Sequence, residues 1–195
     1  KPIKLISGSS PFCETFLDNA VAQREDLIGE LNKGWTIGKR LLQYERSGIG
    51  GLSGGGRKAA KKTNVMADTA KHYLGETQGK IADANARQKV LCQAMDERAF
   101  QLTTQRVVQE NQSGKTPGAA TSIFKLVGST LAKNAAELKS ELMGFSGLGW
   151  HGDQFTATEV TATRAWLNSR AVTIYGGTNE VQMNIISKRV LGLPD

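Results

Sequence analysis

The chain has 195 residues, 39% hydrophobic and 22% charged, a balance that suits a folded globular core and excludes a disordered or low-complexity protein. No apolar run approaches the roughly 20 residues of a membrane-spanning helix and the start has no signal-peptide pattern, so a soluble, cytoplasmic protein is expected. A net charge of +7 leaves nucleic acid open as a partner, but its densest part, Arg57-Lys58 and Lys61-Lys62, lies at one end of a predicted helix and reads as a solvated face.

Residues 1–33 offer only short extended segments: Ile3 and Leu5 alternate with polar neighbours, and Phe16–Ala22 has the composition of another strand. So few strands are marginal alone. With no initiating Met either, the native polypeptide is expected to continue upstream. From Gly34 the period becomes helical. The spacing predicts a first helix over about Trp35–Arg46, with Leu41 and Leu42 inward, ended by the glycine-rich run 47–56. A second helix, about Arg57–Gln78, carries Ala59, Ala60, Met66, Ala67, Ala70, Tyr73 and Leu74 on one face; a third, about Ala84–Asn111, uses Val90, Leu91, Ala94 and Leu102. Thr116-Pro117 opens a fourth, to about Met143, with Ile123, Phe124, Val127, Leu131, Leu138 and Leu142 as its stripe. Shorter helices are expected at Thr156–Leu167 and Asn179–Leu191. The expected fold is mainly α, an antiparallel four-helix bundle over residues 34–195 after a short β-domain remnant over 1–33. Cys13 and Cys92 have no disulfide or ligand spacing and His72 and His151 no second ligand, so no metal centre is expected.

The end of the chain is its most informative part. Gly176-Gly177 lets a backbone approach a ligand, Thr178 and Asn179 suit a helix start, and the N–H groups of that first turn would form an anion site. The same pattern also describes an ordinary loop before a helix. The run Ile174-Tyr175-Gly176-Gly177-Thr178-Asn179-Glu180-Val181-Gln182, however, resembles the C-terminal signature of the acyl-CoA dehydrogenase family of flavoenzymes. Residues 19–35 resemble that family's crossing from its β domain to its last helical domain, and Gly144–Trp150 resembles the glycine-rich turn ahead of the signature. The three matches keep the family's order over nearly the whole chain.

The resemblance implies an acyl-CoA substrate, FAD as cofactor, and a reaction in which a glutamate removes the α proton while hydride leaves the β carbon for the flavin, giving a trans-2-enoyl-CoA. So weak a carbon acid needs a close, desolvated base and hydrogen bonds to the developing enolate. In many members the base follows Ile-Tyr in the signature; here that residue is Gly176. Other members carry it in a Glu-Arg pair on the first helix of the C-terminal domain, where this chain has Glu45-Arg46. Glu45 follows Leu41 by four residues and Leu42 by three, which puts it on the apolar side of its helix, where desolvation would raise its pKa. A carboxylate at a frayed helix end, paired with Arg46 or water, is the alternative. Arg46 would orient the base or border the acyl pocket.

For the flavin, the resemblance puts Thr178 and Glu180 near the FAD pyrophosphate or ribose, and Gly147 and Gly149 against the dinucleotide of a neighbouring subunit; loop geometry is the alternative for both glycines. The family's Arg-x-x-Phe-Gly motif is replaced by Glu76-Thr77-Gln78-Gly79-Lys80, and Arg87 with Gln88, which resemble an Arg-Gln pair in some bacterial members, are the candidate substitutes. The implied partners are an electron-transferring flavoprotein as acceptor and further subunits in a homo- or hetero-oligomer, a dimer or tetramer. The flavin-covering segment would lie upstream, so the chain is expected to hold part of a site and to be inactive alone. Two other readings stay open. One is a noncatalytic accessory subunit of a heteromeric dehydrogenase, favoured by the lost arginine motif and opposed by Glu45. The other is a DNA-binding relative, favoured by the cluster at 57–62 and opposed by the lack of interleaved aromatics.

Overall fold

The structure is a computed structural model that describes residues 1–41, 65–112 and 120–194. Leu42, Glu45, Arg46, the glycine-rich run, the basic cluster and Thr116-Pro117 lie outside the described residues. The chain divides into two compact units, one of Lys1–Leu5 with Ser9–Gly56 and one of Ile6–Gly8 with Arg57–Asp195.

In the first unit, β1 (Pro2–Ile3) pairs antiparallel with β2 (Phe12–Cys13), Pro2 opposite Cys13 and Ile3 opposite Phe12. The terminal amine donates to the Glu14 carbonyl at 2.8 Å and the Glu14 N–H to the Lys1 carbonyl at 2.8 Å, which closes the open end of the pair. The strand expected over Phe16–Ala22 does not form. A strand needs a neighbour for its N–H and C=O groups, none of the described residues provides one there, and Asn19 turns the backbone to φ 52°. A short 3₁₀ turn (Arg24–Asp26) precedes α1, helical from residue 34 to 41. Leu41, expected to face inward, is exposed, because none of the described residues of this unit is buried.

The second unit is mainly helical. Its elements are α2 (Val65–Leu74), a hairpin of β3 (Glu76–Thr77) and β4 (Lys80–Ile81), α3 (Ala84–Gln112), α4 (Ala120–Leu142), α5 (Ala157–Asn168) and α6 (Asn179–Ile185). Three further turns matter: 3₁₀ turns at Gly144–Leu148 and Ser169–Thr173, and a π turn at Ile186–Val190 that continues α6. α2 stops at Leu74, four residues short of expectation. Gly75 takes φ +85° and its N–H bonds the Lys71 carbonyl at 3.0 Å, a glycine stop that releases the chain into the hairpin, whose Gln78 and Gly79 are also left-handed. Asp83 caps α3, its carboxylate accepting the Ala86 N–H at 2.7 Å.

α3 and α4 run antiparallel: Lys89 pairs with Glu141 near one end and Phe100 meets Phe124 edge-on, 6.0 Å between ring centres, near the other. The core is Ala70 from α2, Ile81 from β4, Ala86 and Val90 from α3, and Leu138 and Leu142 from α4. Leu91 and Leu102, expected in the stripe of α3, are exposed at 58% and 48%. Val90 is buried as expected, and the inward face runs through it together with Ala86 and Gln93. Gln93 is buried, and its amide donates to Glu97 Oε1 at 2.9 Å and to the Leu131 carbonyl on α4 at 3.2 Å. No helix among the described residues is long and apolar enough to cross a membrane.

Candidate functional site

α4 is packed on two sides. At 3.6 residues per turn, Ile123, Phe124, Val127, Leu131, Leu138 and Leu142 occupy one side of it, whereas Lys125, Ser129, Glu137 and Ser140 share an arc of about 120° on the other. Each of these four polar side chains reaches the C-terminal segment. Lys125 Nζ donates to the Val172 carbonyl at 2.7 Å, Ser129 Oγ to Asn179 Oδ1 at 3.0 Å, and Ser140 Oγ to the Gly147 carbonyl at 2.7 Å; Glu137 pairs with Arg170 at 3.2 Å. One helix thereby holds both turns that carry sequence signatures.

The first of these is the glycine-rich turn. The Gly147 carbonyl accepts from Ser140 Oγ and also from Thr163 Oγ1 at 2.9 Å. A Cβ on Gly147 would lie 2.1 Å from the Ser140 carbonyl oxygen, and one on Gly149 2.6 Å from the Phe155 ring. Packing within the chain thus accounts for both glycines. Phe145 and Leu148 on the same turn are exposed at 77% and 63%.

Glu159 ties this turn to α5 and α2. It is 7% exposed, completes a capping box with Thr156, accepts the Tyr73 hydroxyl at 2.9 Å and is hydrogen-bonded by Ser146. The Thr156 backbone N–H, at 2.6 Å, and then the Tyr73 hydroxyl hold its carboxyl down to about 2 against the opposing effect of burial. Tyr73 is raised in turn, by burial first and then by Glu159. Sequence reading missed Glu159, although Thr156-x-x-Glu159 ahead of a helical run is the spacing of a capping box.

The second turn is the terminal signature. Gly176 and Gly177 take φ +68° and +92°. Buried Gln182 reaches back under them, its amide 3.5 Å from the Gly176 carbonyl and 3.4 Å from that of Gly177. Thr178 caps α6 by accepting the Val181 N–H at 3.3 Å. Glu180 is lowered by a bond from its own backbone N–H, then by the Thr178 hydroxyl. The first-turn N–H group of Val181 is therefore taken up inside the turn. Lys125 sits with its Nζ 6.0 Å from the Tyr175 ring centre, and burial lowers its pKa.

Arg87 lies on α3 and spends Nη1 on the Ile81 carbonyl at 2.8 Å, bracing the hairpin against the helix; Gln88 is exposed beside it. Glu45 and Arg46 lie outside the described residues, as does the basic cluster. Gly176 has no side chain, and both shifted carboxylates, Glu159 and Glu180, move downward, opposite to what a base working near neutral pH requires.

The family model described as "Acyl-CoA dehydrogenase, C-terminal domain" matches residues 32–191. Among curated proteins, acyl-CoA dehydrogenase IpdE1 of Mycolicibacterium smegmatis is 31% identical over 199 residues, covering 100% of this chain and 45% of its own length. Acyl-CoA dehydrogenase FadE34 of Mycobacterium tuberculosis is 29% identical over 194 residues, 100% of this chain and 24% of its own. The chain thus spans less than half of the curated relatives it matches. Among solved structures, the Tcur3481-Tcur3483 steroid ACAD superimposes with a TM-score of 0.72 at 16% identity, over 100% of this chain and 48% of that one. An acyl-CoA dehydrogenase from Geobacillus kaustophilus gives 0.59 at 23%, over 84% and 40%.

Proposed function

Since the chain belongs to the acyl-CoA dehydrogenase family, we propose that it is the C-terminal portion of an FAD-dependent enzyme that desaturates an acyl-CoA thioester between its α and β carbons, giving a trans-2-enoyl-CoA. The observation that carries this is the family match over residues 32–191, which includes the signature turn at Ile174–Gln182. Bound FAD would supply the hydride acceptor. Glu45 is the proposed base, with Arg46 beside it at the acyl group, because Gly176 cannot serve and neither described carboxylate with a shifted pKa is suited. Residues 1–33 are read as the tail of a preceding β domain, and the electrons as passing to an electron-transferring flavoprotein.

The chain's own groups suit part of a dinucleotide. Glu180 is exposed and held as an anion, and a carboxylate accepts from sugar hydroxyls but repels phosphate. Of the two placements the resemblance implies for Thr178 and Glu180, this favours the ribose over the pyrophosphate. Gly147 and Gly149 are proposed to bring their turn against the dinucleotide of a neighbouring subunit. Arg87 is the weaker cofactor candidate, since its guanidinium already holds Ile81.

A second reading, a noncatalytic accessory subunit of a heteromeric dehydrogenase, is favoured by the loss of the arginine motif at Glu76-Thr77-Gln78-Gly79-Lys80. Glu45→Gln in the full-length protein separates the two. The amide keeps the size but cannot take a proton, so anaerobic mixing with an acyl-CoA substrate should leave the flavin oxidised. Flavin reduction at the wild-type rate would remove Glu45 as the base and favour the accessory reading.

A further inference from the structure

The signature turn is shaped from outside itself, by two side chains one helical turn apart on α4. Lys125 holds the Val172 carbonyl at its entry and Ser129, which is buried, holds Asn179 at its exit. Between these anchors lie Gly176 and Gly177, both left-handed and without side chains of their own to fix them. The inner support comes from Gln182, whose contacts of 3.5 and 3.4 Å are at the long end of hydrogen bonding, whereas the Lys125 bond is short and charge-assisted. Neither Lys125 nor Ser129 belongs to the apolar core.

We propose that Lys125, seconded by Ser129, is a positioning residue: it fixes the path of residues 172–179 and so the atoms that the signature turn presents to the flavin dinucleotide. The flavin part of this statement rests on the function proposed above. Lys125 itself is half-buried, with its ammonium bonded to the Val172 carbonyl. It therefore sets geometry and is not required to touch the cofactor.

The test uses the full-length protein, with its partner chain if it has one, as wild type, Lys125→Met, Lys125→Arg and Ser129→Ala. FAD is the probe, titrated into apoprotein, and amide hydrogen exchange is followed at residues 174–178. Lys125→Met removes the short charge-assisted bond to Val172, so it should raise the FAD Kd about 10-fold or more and speed exchange at these amides. Ser129→Ala should act in the same direction with smaller size. Lys125→Arg keeps a cation on a long stem and should return both readouts to within about 3-fold of wild type. A merely structural role predicts a different result, a fall in apoprotein melting temperature that Arg does not repair. That outcome, or wild-type affinity and exchange in Lys125→Met, overturns the proposal. If wild-type protein binds no FAD, the flavin function falls; exchange at 174–178 then still decides the positioning, with unchanged rates in Lys125→Met refuting it.

Discussion

Gly147→Ala puts the packing of the glycine-rich turn to a quantitative test. The added methyl would sit 2.1 Å from the Ser140 carbonyl oxygen and 2.9 Å from its carbon, both parts of the α4 backbone, so the turn must move away from the helix. That movement strains or breaks the two bonds to the Gly147 carbonyl, from Ser140 Oγ at 2.7 Å and Thr163 Oγ1 at 2.9 Å. Overpacking costs about 1–3 kcal/mol and each lost bond about 0.5–1.5 kcal/mol, which gives about 2–6 kcal/mol in all. For a unit of this size that corresponds to about 5–20 °C in Tm. Gly149→Ala is the internal control. Its methyl meets the Phe155 ring at 2.6 Å, and a side chain can rotate where a backbone carbonyl cannot, so a loss of about 1–3 kcal/mol is expected. Thermal and urea unfolding of the full-length protein, followed by far-UV circular dichroism, measures both. A Gly147→Ala protein melting within about 1 °C of wild type, or above Gly149→Ala, would refute the packing account.

Glu159→Gln should destabilise the protein near neutrality, and the difference should vanish in acid. The carboxyl is held down to about 2 in the fold from a reference value of 4.5, so its contribution is complete above the unfolded value and is lost as pH falls through the folded one. Urea midpoints of both proteins between pH 7 and 2 should converge at the acid end; a gap that widens as pH falls would contradict the sign. Changing Arg57, Lys58, Lys61 and Lys62 together to Ser in the full-length protein should leave the proposed dehydrogenase activity intact and remove no salt-dependent DNA affinity. Tight duplex binding that falls steeply between two salt concentrations and disappears in the variant would instead favour a DNA-binding relative.

Legibility in the sequence followed the physics of each element. The span of α3 was legible because 29 residues without Gly or Pro leave little alternative to a helix. Its inward face was legible only at Val90, because counting apolar residues passes over Gln93, whose burial depends on a carbonyl of another helix. The end of α2 was misjudged at Gly75, whose stop becomes visible only once the hairpin after it has formed. For the site, resemblance led to the two glycine turns, yet the packing reasons these residues are glycine lie in Ser140, Phe155 and Gln182, which are ordinary in type and meet the glycines only once the turns have folded. The anchors Lys125, Ser129, Glu137 and Ser140 are scattered along a helix that reads simply as amphipathic, and a polar face is usually credited to water.

That two-sided helix has a practical consequence for redesign. Substitutions that fill or trim the side around Leu138 and Leu142 act on cohesion with α2 and α3, whereas those at Lys125 and Ser129 act on the path of the terminal turn. Leu138 stands nine residues, about 13 Å along the helix, beyond Ser129 and shares no bond partner with it, and effects at sites so far apart add. Thermostability could thus be raised from one side of α4 while the turn geometry is left as a separately adjustable property.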